Sequence, residues 1–144
     1  MLLIPWEWPS QPWERIHIDF LGPIDKMNYL VVIDAHSKWI EVAAMRSTTA
    51  ESTINMLKAF FSRYGLPKII VTDNGSQLVR SEVFRNYCNE NGIVYRAGAP
   101  YHPATNGQAE IVVKQVKQCI LKAKSDGKAV DQPIRDFLLL YRNT

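Results

Sequence analysis

Three carboxylates in this sequence lie where a folded chain could bring them together. Asp19 follows the alternating stretch RIHI, Asp73 follows the apolar run KIIVT, and Glu110 lies in the first turns of a basic amphipathic helix. Strand ends and helix starts are where α/β proteins assemble their sites. Three clustered acids repel one another unless a divalent cation lies between them, and oxygen-only ligands suit Mg2+ or Mn2+. We therefore expect these acids to hold such a cation.

Each acid also has an ordinary interpretation. Asp73-Asn74-Gly75 alone is typical of a plain turn, Asp19 could be a solvated strand residue, and Glu110 could be an exposed helix acid. Pattern alone does not choose between these roles and metal binding.

Other polar residues give weaker signals. Asn74 and Gln108 fit a turn and a helix start as well as they fit hydrogen-bond support of metal ligands. Asp34 ends a predicted strand, and we interpret it as a turn acid. The three histidines and two cysteines lack the spacing of a zinc site.

The first half of the chain predicts a meander of strands. In RIHIDFLG the apolar residues alternate with His17 and Asp19, which predicts a first strand that ends near Asp19, before a Gly-Pro pair. Tyr29 to Asp34 and Trp39 to Met45 predict two more strands, and we expect the first strand to pair with the second.

Helices and buried strands alternate in the rest of the chain. Thr48 and Glu51 have capping-box spacing, which predicts a helix that Gly65 ends. The further predicted elements are a buried strand in KIIVT, a helix in SEVFRNYCNENG closed by Gly92, a strand in IVYRAG, a loop over Ala99–Gly107, a long helix through Lys124, and a last helix from about Asp131.

This order of elements predicts an α/β fold with a mixed five-stranded sheet flanked by helices. Residues 1–13 are expected to form an extended, proline-stiffened lead-in, and residues 14–144 to form one domain. The pattern is unfinished at LLLYRNT, so we expect this domain to be cut from a longer protein.

Composition sets the limits of these interpretations. With 47% hydrophobic and 22% charged residues, the 144-residue chain has a globular composition and not that of a disordered one. A net charge of +3 indicates a nucleic-acid partner only if the positive residues cluster. The two cysteines predict reduced, buried or half-buried thiols in an intracellular protein, and no signal peptide or membrane span is expected.

Nearly the whole chain resembles the catalytic core of retroviral and retrotransposon integrases, particularly those of the gypsy type. The motifs that carry the resemblance are PWERIHIDFLGP, YLVVIDAHSKWIEV, GLPKIIVTDNGSQL, YHPATNGQAE and LLLYRNT, in that order. The family's motif is two aspartates and a glutamate. Asp73 and Glu110 enclose 36 residues (positions 74–109), a spacing close to that of the family, and Asp19 supplies the first acid.

The resemblance implies an RNase H-like fold and phosphoryl transfer with two Mg2+ or Mn2+ ions. Asp19, Asp73 and Glu110 would be the catalytic metal ligands, with Asn74 and Gln108 supporting them. Water would be the nucleophile when a DNA end is trimmed, and the new 3′-hydroxyl when that end is joined to target DNA.

The resemblance also implies partners. Double-stranded DNA would be the substrate, contacted by Tyr101, Asn106, Lys114 and Lys117, and the loop before the helix would be mobile. Glu110 shares one helix face with the two lysines, which could otherwise simply be solvated. The family further implies a homodimer, a higher multimer in the full-length protein, a nuclear location and no membrane.

Two other functions remain open. A domesticated host protein could keep the fold as a non-catalytic module that binds DNA or protein. An RNase H-like nuclease that acts on RNA–DNA hybrids is disfavoured by HPATNGQAE, which is similar to the integrase version of the site. One departure concerns Ile111, where many gypsy-type relatives have arginine; an apolar run there could extend the buried face of the helix.

Overall fold

The structure, a computed structural model, describes residues 11–98 and 103–143, with side chains for 11–98 and 110–143. Within these residues the chain forms five strands, four α-helices and one short 3-10 turn. In chain order they are β1 (Arg15–Ile24), β2 (Met27–Asp34), β3 (Ile40–Met45), α1 (Ala50–Tyr64), β4 (Ile69–Thr72), the 3-10 turn Gln77–Arg80, α2 (Glu82–Glu90), β5 (Val94–Ala97), α3 (Pro103–Ser125) and α4 (Asp131–Arg142).

The strands form one mixed sheet in the order β3-β2-β1-β4-β5. Strands β1, β2 and β3 pair antiparallel, as the meander predicted, while β4 pairs parallel with both β1 and β5. The predicted five-stranded mixed sheet is therefore confirmed. Strand β1 lies at its centre, with neighbours on both sides.

Side-chain alternation along β1 separates the two faces of the sheet. Ile16 and Ile18 point into a core formed with α1 and α2, which includes Leu57, Phe60 and Phe84. The opposite face is covered by α3 and α4, where fully buried Val116 and Ile120 of α3 pack on the β-sheet. Because buried aliphatic side chains each contribute about 1.5–3 kcal/mol, this packing fixes α3 against the sheet.

The prediction that the first strand ends near Asp19 is wrong, because β1 continues to Ile24. The Gly-Pro pair was expected to stop it. Instead, β2 continues as the partner strand, and the register shifts between Leu21 and Ile24. Since proline has no N–H to donate, it fits at such an irregularity of the ladder.

The predicted capping box at Thr48 is also wrong by one residue. Helix α1 begins at Ala50, and the N-cap is Thr49, whose side chain accepts a hydrogen bond from the Ser52 N–H at 3.2 Å. The Thr48 carbonyl instead accepts from the side chain of Gln77. Gly65 does end the helix, with φ 88° and its N–H bonded to the Phe61 carbonyl.

Helix α3 begins at Pro103, so residues 103–107 are helical and not part of the predicted loop. Proline suits the first helical position, because its fixed φ matches the helix and its missing N–H would have no intrahelical partner there. Gly107 costs about 1 kcal/mol relative to alanine. Burial of the apolar face of α3 offsets that cost. No described helix, α3 included, is long and apolar enough to span a membrane.

Trp13, assigned to the lead-in by its sequence position, belongs to the core. It is 9% exposed, and its indole N–H donates to the Gly65 carbonyl at 2.7 Å. Its ring lies 4.8 Å from that of Tyr64. The start of the domain at residue 14 stays a prediction, but the core includes at least one residue before it.

Both cysteines are free thiols, Cys88 buried and Cys119 half-buried, as predicted. Burial raises the pKa of the Cys88 thiol to about 11. Cys88 is therefore a core residue with little thiolate at neutral pH.

Candidate active site

The pairing of β1 with β4 brings the two aspartates to the same level of the sheet. His17 pairs with Val71 in parallel register, and Asp19 on β1 and Asp73 directly after β4 each follow two residues later. Asp73 lines a cavity together with His17 and Val71, and, since side chains alternate along a strand with a period of two, Asp19 continues the face that His17 occupies. This face is the one covered by α3.

Glu110 reaches the same place from α3. Val112 and Val116 are buried against the sheet, which fixes the rotation of the helix. Glu110 and Val113, three residues apart on one helix face, both line a cavity above the strand ends. Glu110 itself is exposed.

All three predicted acids line that single cavity of about 140 Å³. It lies between the centre of the sheet and the N-terminal half of α3. Its lining comprises His17, Ile18, Asp19, Ile33, Val71, Thr72, Asp73, Gly98, Glu110 and Val113. The structure therefore places the three acids in a common pocket.

The acids influence one another electrostatically. The pKa of Asp19 is raised, chiefly by partial burial and further by the negative charges of Asp73 and Glu110. A hydrogen bond from the Phe20 N–H, 2.8 Å from Asp19 Oδ1, opposes that rise by stabilising the carboxylate. A nearby cation would relieve the repulsion among these groups.

The carboxylates of Asp19, Asp73 and Glu110 have the oxygen atoms that suit a hard divalent cation, and they line the same cavity. Among the side chains described, however, no three His, Cys, Asp or Glu groups lie close enough together to hold a metal ion as they stand. The three carboxylates would have to approach one another to share one. They provide the oxygen ligands that Mg2+ or Mn2+ prefers, without a preformed cage.

Asp73 also serves the turn that its sequence suggested. Its Oδ1 accepts from the Gly75 N–H at 3.3 Å, and its carbonyl accepts from the Ser76 N–H at 3.0 Å. The turn and site interpretations of Asp73 are thus compatible. The local turn orients the carboxylate that lines the cavity.

His17 is a polar residue of the cavity that sequence analysis left without a role. It is 9% exposed, and its Nε2 has no hydrogen-bond partner among the described residues. Its pKa falls to about 4, chiefly because the ring is buried and also because the positive charges of Arg15 and Lys38 disfavour protonation. The alternation of His17 with Asp19 in RIHID indicates that the two side chains lie on one face of the strand, and this pattern could have identified His17 as a residue of the site.

Asp34 has the structural role that its position suggested. It is 1% exposed, and its two oxygens accept from the N–H groups of Trp13, His36 and Ser37 and from the Ser37 hydroxyl, at 2.6–3.3 Å. These bonds use both oxygens within the turn between β2 and β3. Asp34 therefore fixes this turn and the chain at Trp13.

Two of the four side chains predicted to contact DNA, those of Lys114 and Lys117, lie in the described part of the chain. Lys114 and Lys117 are exposed on α3, and their role stays a prediction. In the apolar run that begins at Ile111, Ile111 is 58% exposed, whereas Val112 is 3% exposed and belongs to the buried face of the helix. Tyr101 and His102, and the side chains of Asn106 and Gln108, lie outside the described part.

Asn74 and Lys124 show two different surroundings. Asn74 is exposed and lies against Gly98, a residue to which the sequence assigned no role.

Lys124 Nζ lies 3.5 Å from Asp25 Oδ2, and this exposed ion pair contributes little to stability. Lys124 is thus engaged within the fold.

Comparison with known proteins identifies relatives. A family model described as the integrase core domain matches residues 9–103, and this match ends before Glu110. An uncharacterized protein of Caenorhabditis elegans is 44% identical over 142 residues, which is 99% of this chain and 11% of that protein. The Gag-Pol polyprotein of walleye dermal sarcoma virus is 30% identical over 119 residues, covering 81% of this chain and 7% of the polyprotein.

Solved structures show the same architecture. A chain of the simian T-cell lymphotropic virus intasome matches with a TM-score of 0.70 at 23% identity, over 88% of this chain and 47% of that one. The catalytic core domain of BIV integrase matches with a TM-score of 0.70 at 20% identity, over 88% and 82%. At identities of 20–23%, these structures establish the fold alone. This chain spans only 11% of the C. elegans protein and 7% of the viral polyprotein.

Proposed function

This chain belongs to the family of integrase core domains and has their RNase H-like fold, and from this premise we propose that it performs metal-dependent phosphoryl transfer on DNA. The proposed reactions are trimming of a DNA end and joining of that end to target DNA, as in a gypsy-type retroelement. The observation that carries the proposal is the convergence of Asp19, Asp73 and Glu110, from three separate elements, on one cavity.

The reaction would be a displacement at phosphorus. An oxygen of water, or of a DNA 3′-hydroxyl, forms a bond to phosphorus while a bridging P–O bond breaks and its oxygen leaves with the departing strand. Bound Mg2+ or Mn2+ ions, two during catalysis, would stabilise the charge on the attacking and leaving oxygens. The three carboxylates would be their ligands.

Other residues of this chain would position the DNA. Lys114 and Lys117 lie one and two turns beyond Glu110, so phosphates that they bind would lie close to the cavity. Lysine binds phosphate as a point charge and does not read base edges, so these contacts would orient the duplex without specifying sequence.

Self-association and a nuclear location are part of the same proposal. Helix α4 exposes two neighbouring leucines, Leu139 at 65% and Leu140 at 68%, which could pack against a second copy in a dimer. A tagged version of the chain should be found in the nucleus, where chromosomal DNA is the target.

The test is a strand-transfer and disintegration assay with double-stranded DNA in Mg2+ or Mn2+. Asp73→Asn should abolish product while the circular dichroism spectrum stays unchanged. Asp126→Asn removes an exposed acid after α3 and is the matched control, which should keep activity.

Two results separate the hypotheses. Product formation by Asp73→Asn at the wild-type rate would rule out the three-acid site. A wild-type protein that binds DNA but forms no product in either metal would instead favour the domesticated, non-catalytic module.

A further inference from the structure

The side-chain amide of Asn74 lies directly against the backbone of Gly98 at the cavity. A Cβ atom on Gly98 would lie 2.9 Å from Asn74 Nδ2, 3.0 Å from Oδ1 and 3.1 Å from Cγ. Real Cβ atoms seldom approach other atoms so closely, so the amide occupies the space that any side chain at position 98 would need.

Two features of position 98 bring the residues together. Thr72 pairs with Ala97 across β4 and β5, so the turn after β4 and Gly98 lie side by side at the strand ends. The Gly98 N–H donates to the Thr72 carbonyl at 2.5 Å and fixes that junction. Gly98 also has φ +77°, in the left-handed region that side chains disfavour.

The Asn74 amide has unused hydrogen-bonding capacity. It is exposed and makes no hydrogen bond to any described residue. A solvated surface asparagine would look the same in this respect. The difference is that the amide lies against a glycine, follows Asp73 in sequence and is next to a cavity that Gly98 itself lines.

We propose that Asn74 contacts the DNA substrate directly, with Nδ2 donating to a phosphate oxygen of the strand at the cavity, and that Gly98 is the positioning residue for this amide. The inference rests on the proposed function, because it needs a phosphate at the acid pocket. It differs from support of a metal ligand, since the amide makes no hydrogen bond to Asp73.

The Asn74 amide is exposed and lies next to Gly98, which lines the cavity, so a phosphate at the cavity could reach it directly. A single hydrogen bond to a charged oxygen corresponds to roughly a tenfold or greater change in affinity. Loss of the amide, or its displacement, should therefore be measurable.

The experiment compares Asn74→Ala, Gly98→Ala and the double variant by fluorescence anisotropy with a double-stranded DNA oligonucleotide at one fixed salt concentration. Gly127→Ala is the matched control, since Gly127 has φ +70° but a Cβ atom added there would meet no atom within 4 Å. It reproduces the backbone strain without touching Asn74. Thermal unfolding of each variant establishes that it is folded.

Each single variant should weaken DNA binding roughly tenfold, and the double variant should be no weaker than either single one. Gly127→Ala should bind as the wild type does. Wild-type affinity of Asn74→Ala, or additive losses in the double variant, would overturn the inference.

A second measurement tests the placement without DNA. In 1H–15N NMR spectra, Gly98→Ala should shift the side-chain NH2 resonances of Asn74, and Gly127→Ala should leave them in place. Unshifted resonances in Gly98→Ala would overturn the positioning role. If the wild type bound no DNA, the proposed function would fall, and this inference with it, even with the resonances shifted.

Discussion

Asp19 lies on β1 and Asp73 directly follows the parallel neighbour β4, each two residues beyond the paired His17 and Val71. The register of β1 and β4, together with the turn after β4, thus brings two like charges to one cavity. Glu110 adds a third charge from α3, and the pKa of Asp19 is raised by burial and then by both acids. Repulsion among these acids therefore has an electrostatic cost, which lowers the stability of the folded state.

Asp73→Asn should lower that cost. With one negative charge removed, the pKa of Asp19 should move down, and the protein should be slightly more stable at neutral pH. Water screens these carboxylates, which are only partly buried, so we expect a gain below about 1 kcal/mol. A raised folded-state pKa makes ionisation unfavourable, so the gain should vanish as the pH falls and Asp19 protonates. Urea unfolding at pH 7 and pH 3.5 tests this, and a destabilised Asp73→Asn at pH 7 would contradict it.

Replacement of Lys114 and Lys117 by alanine should weaken binding of many DNA sequences about equally. Each phosphate contact releases counterions, so the salt dependence of the affinity should flatten by roughly two contacts. Metal binding should survive, because neither lysine is an expected ligand. Anisotropy titrations at several salt concentrations measure both quantities.

The matched control for these lysines is the pair Lys122 and Lys128, which are also exposed. Their replacement removes the same charge farther from the cavity and should change the salt dependence less. If both double variants behaved alike, the effect would reflect net charge and not a defined DNA path.

Cys88 should resist alkylation in the folded protein. Its pKa is raised from 9.0 to about 11 by burial, which lowers the thiolate fraction at pH 8 by about 100-fold. Iodoacetamide should therefore modify Cys88 at least about 100-fold more slowly in the folded chain than in urea. Mass spectrometry of Cys119→Ala isolates Cys88. Equal rates in both states would show that the thiol is accessible.

The same shift predicts a loss of stability at alkaline pH. Between pH 9 and 11 the folded state keeps the Cys88 proton that the unfolded state releases, so the stability falls as the pH rises. The loss attributable to this group, up to about 2–3 kcal/mol, should be absent from Cys88→Ala. Comparison of the two unfolding curves removes the contribution of the other groups.

Glu41 on β3 should be important for stability. Its Oε2 accepts from the Tyr64 hydroxyl at 2.5 Å and the Trp39 indole at 2.8 Å, and lies 3.3 Å from Arg142. The Arg142 guanidinium also stacks 3.8 Å above the Trp39 ring. Because Glu41→Ala leaves a partly buried Arg142 without its carboxylate, we expect a loss of about 1–3 kcal/mol.

Lys68→Ala is the control for Glu41. Its 3.8 Å ion pair with Glu14 involves a lysine side chain that is 70% exposed, so its removal should cost less than about 0.5 kcal/mol. Equal effects of the two substitutions in urea unfolding would contradict the special role of Glu41.

Much of the site could be predicted because its signals are local. Alternation in RIHID placed Asp19 opposite the core, and the apolar run before Asp73 predicted a buried strand that ends in a turn. These patterns depend only on neighbouring residues. The meander, with the first strand paired to the second, followed for the same reason.

Features that depend on distant residues were missed. The contact of Gly98 with Asn74 arises from the register of β4 and β5, and nothing in AGAP indicates it. The N-cap is Thr49 and not Thr48, whose carbonyl accepts from Gln77, a residue distant in sequence. The extension of β1 to Ile24 required β2 as a partner. For Gly98 and β1, tertiary contacts decided between local alternatives.

Helix α4 leads to the last prediction. It packs on the sheet through Ile134, Phe137, Leu138 and Tyr141, while Leu139 and Leu140 remain 65% and 68% exposed. Replacement of both exposed leucines by glutamine should leave the free energy of unfolding within about 0.5 kcal/mol of the wild-type value, since neither is buried in the monomer.

If these leucines form the dimer contact, the double variant should sediment as a monomer at concentrations where the wild type is a dimer. Ile111→Gln, which changes another largely exposed apolar residue, on α3, should leave the dimer intact. A wild type that sediments only as a monomer at high concentration, or a double variant that still dimerises, would exclude this face of α4 as the contact.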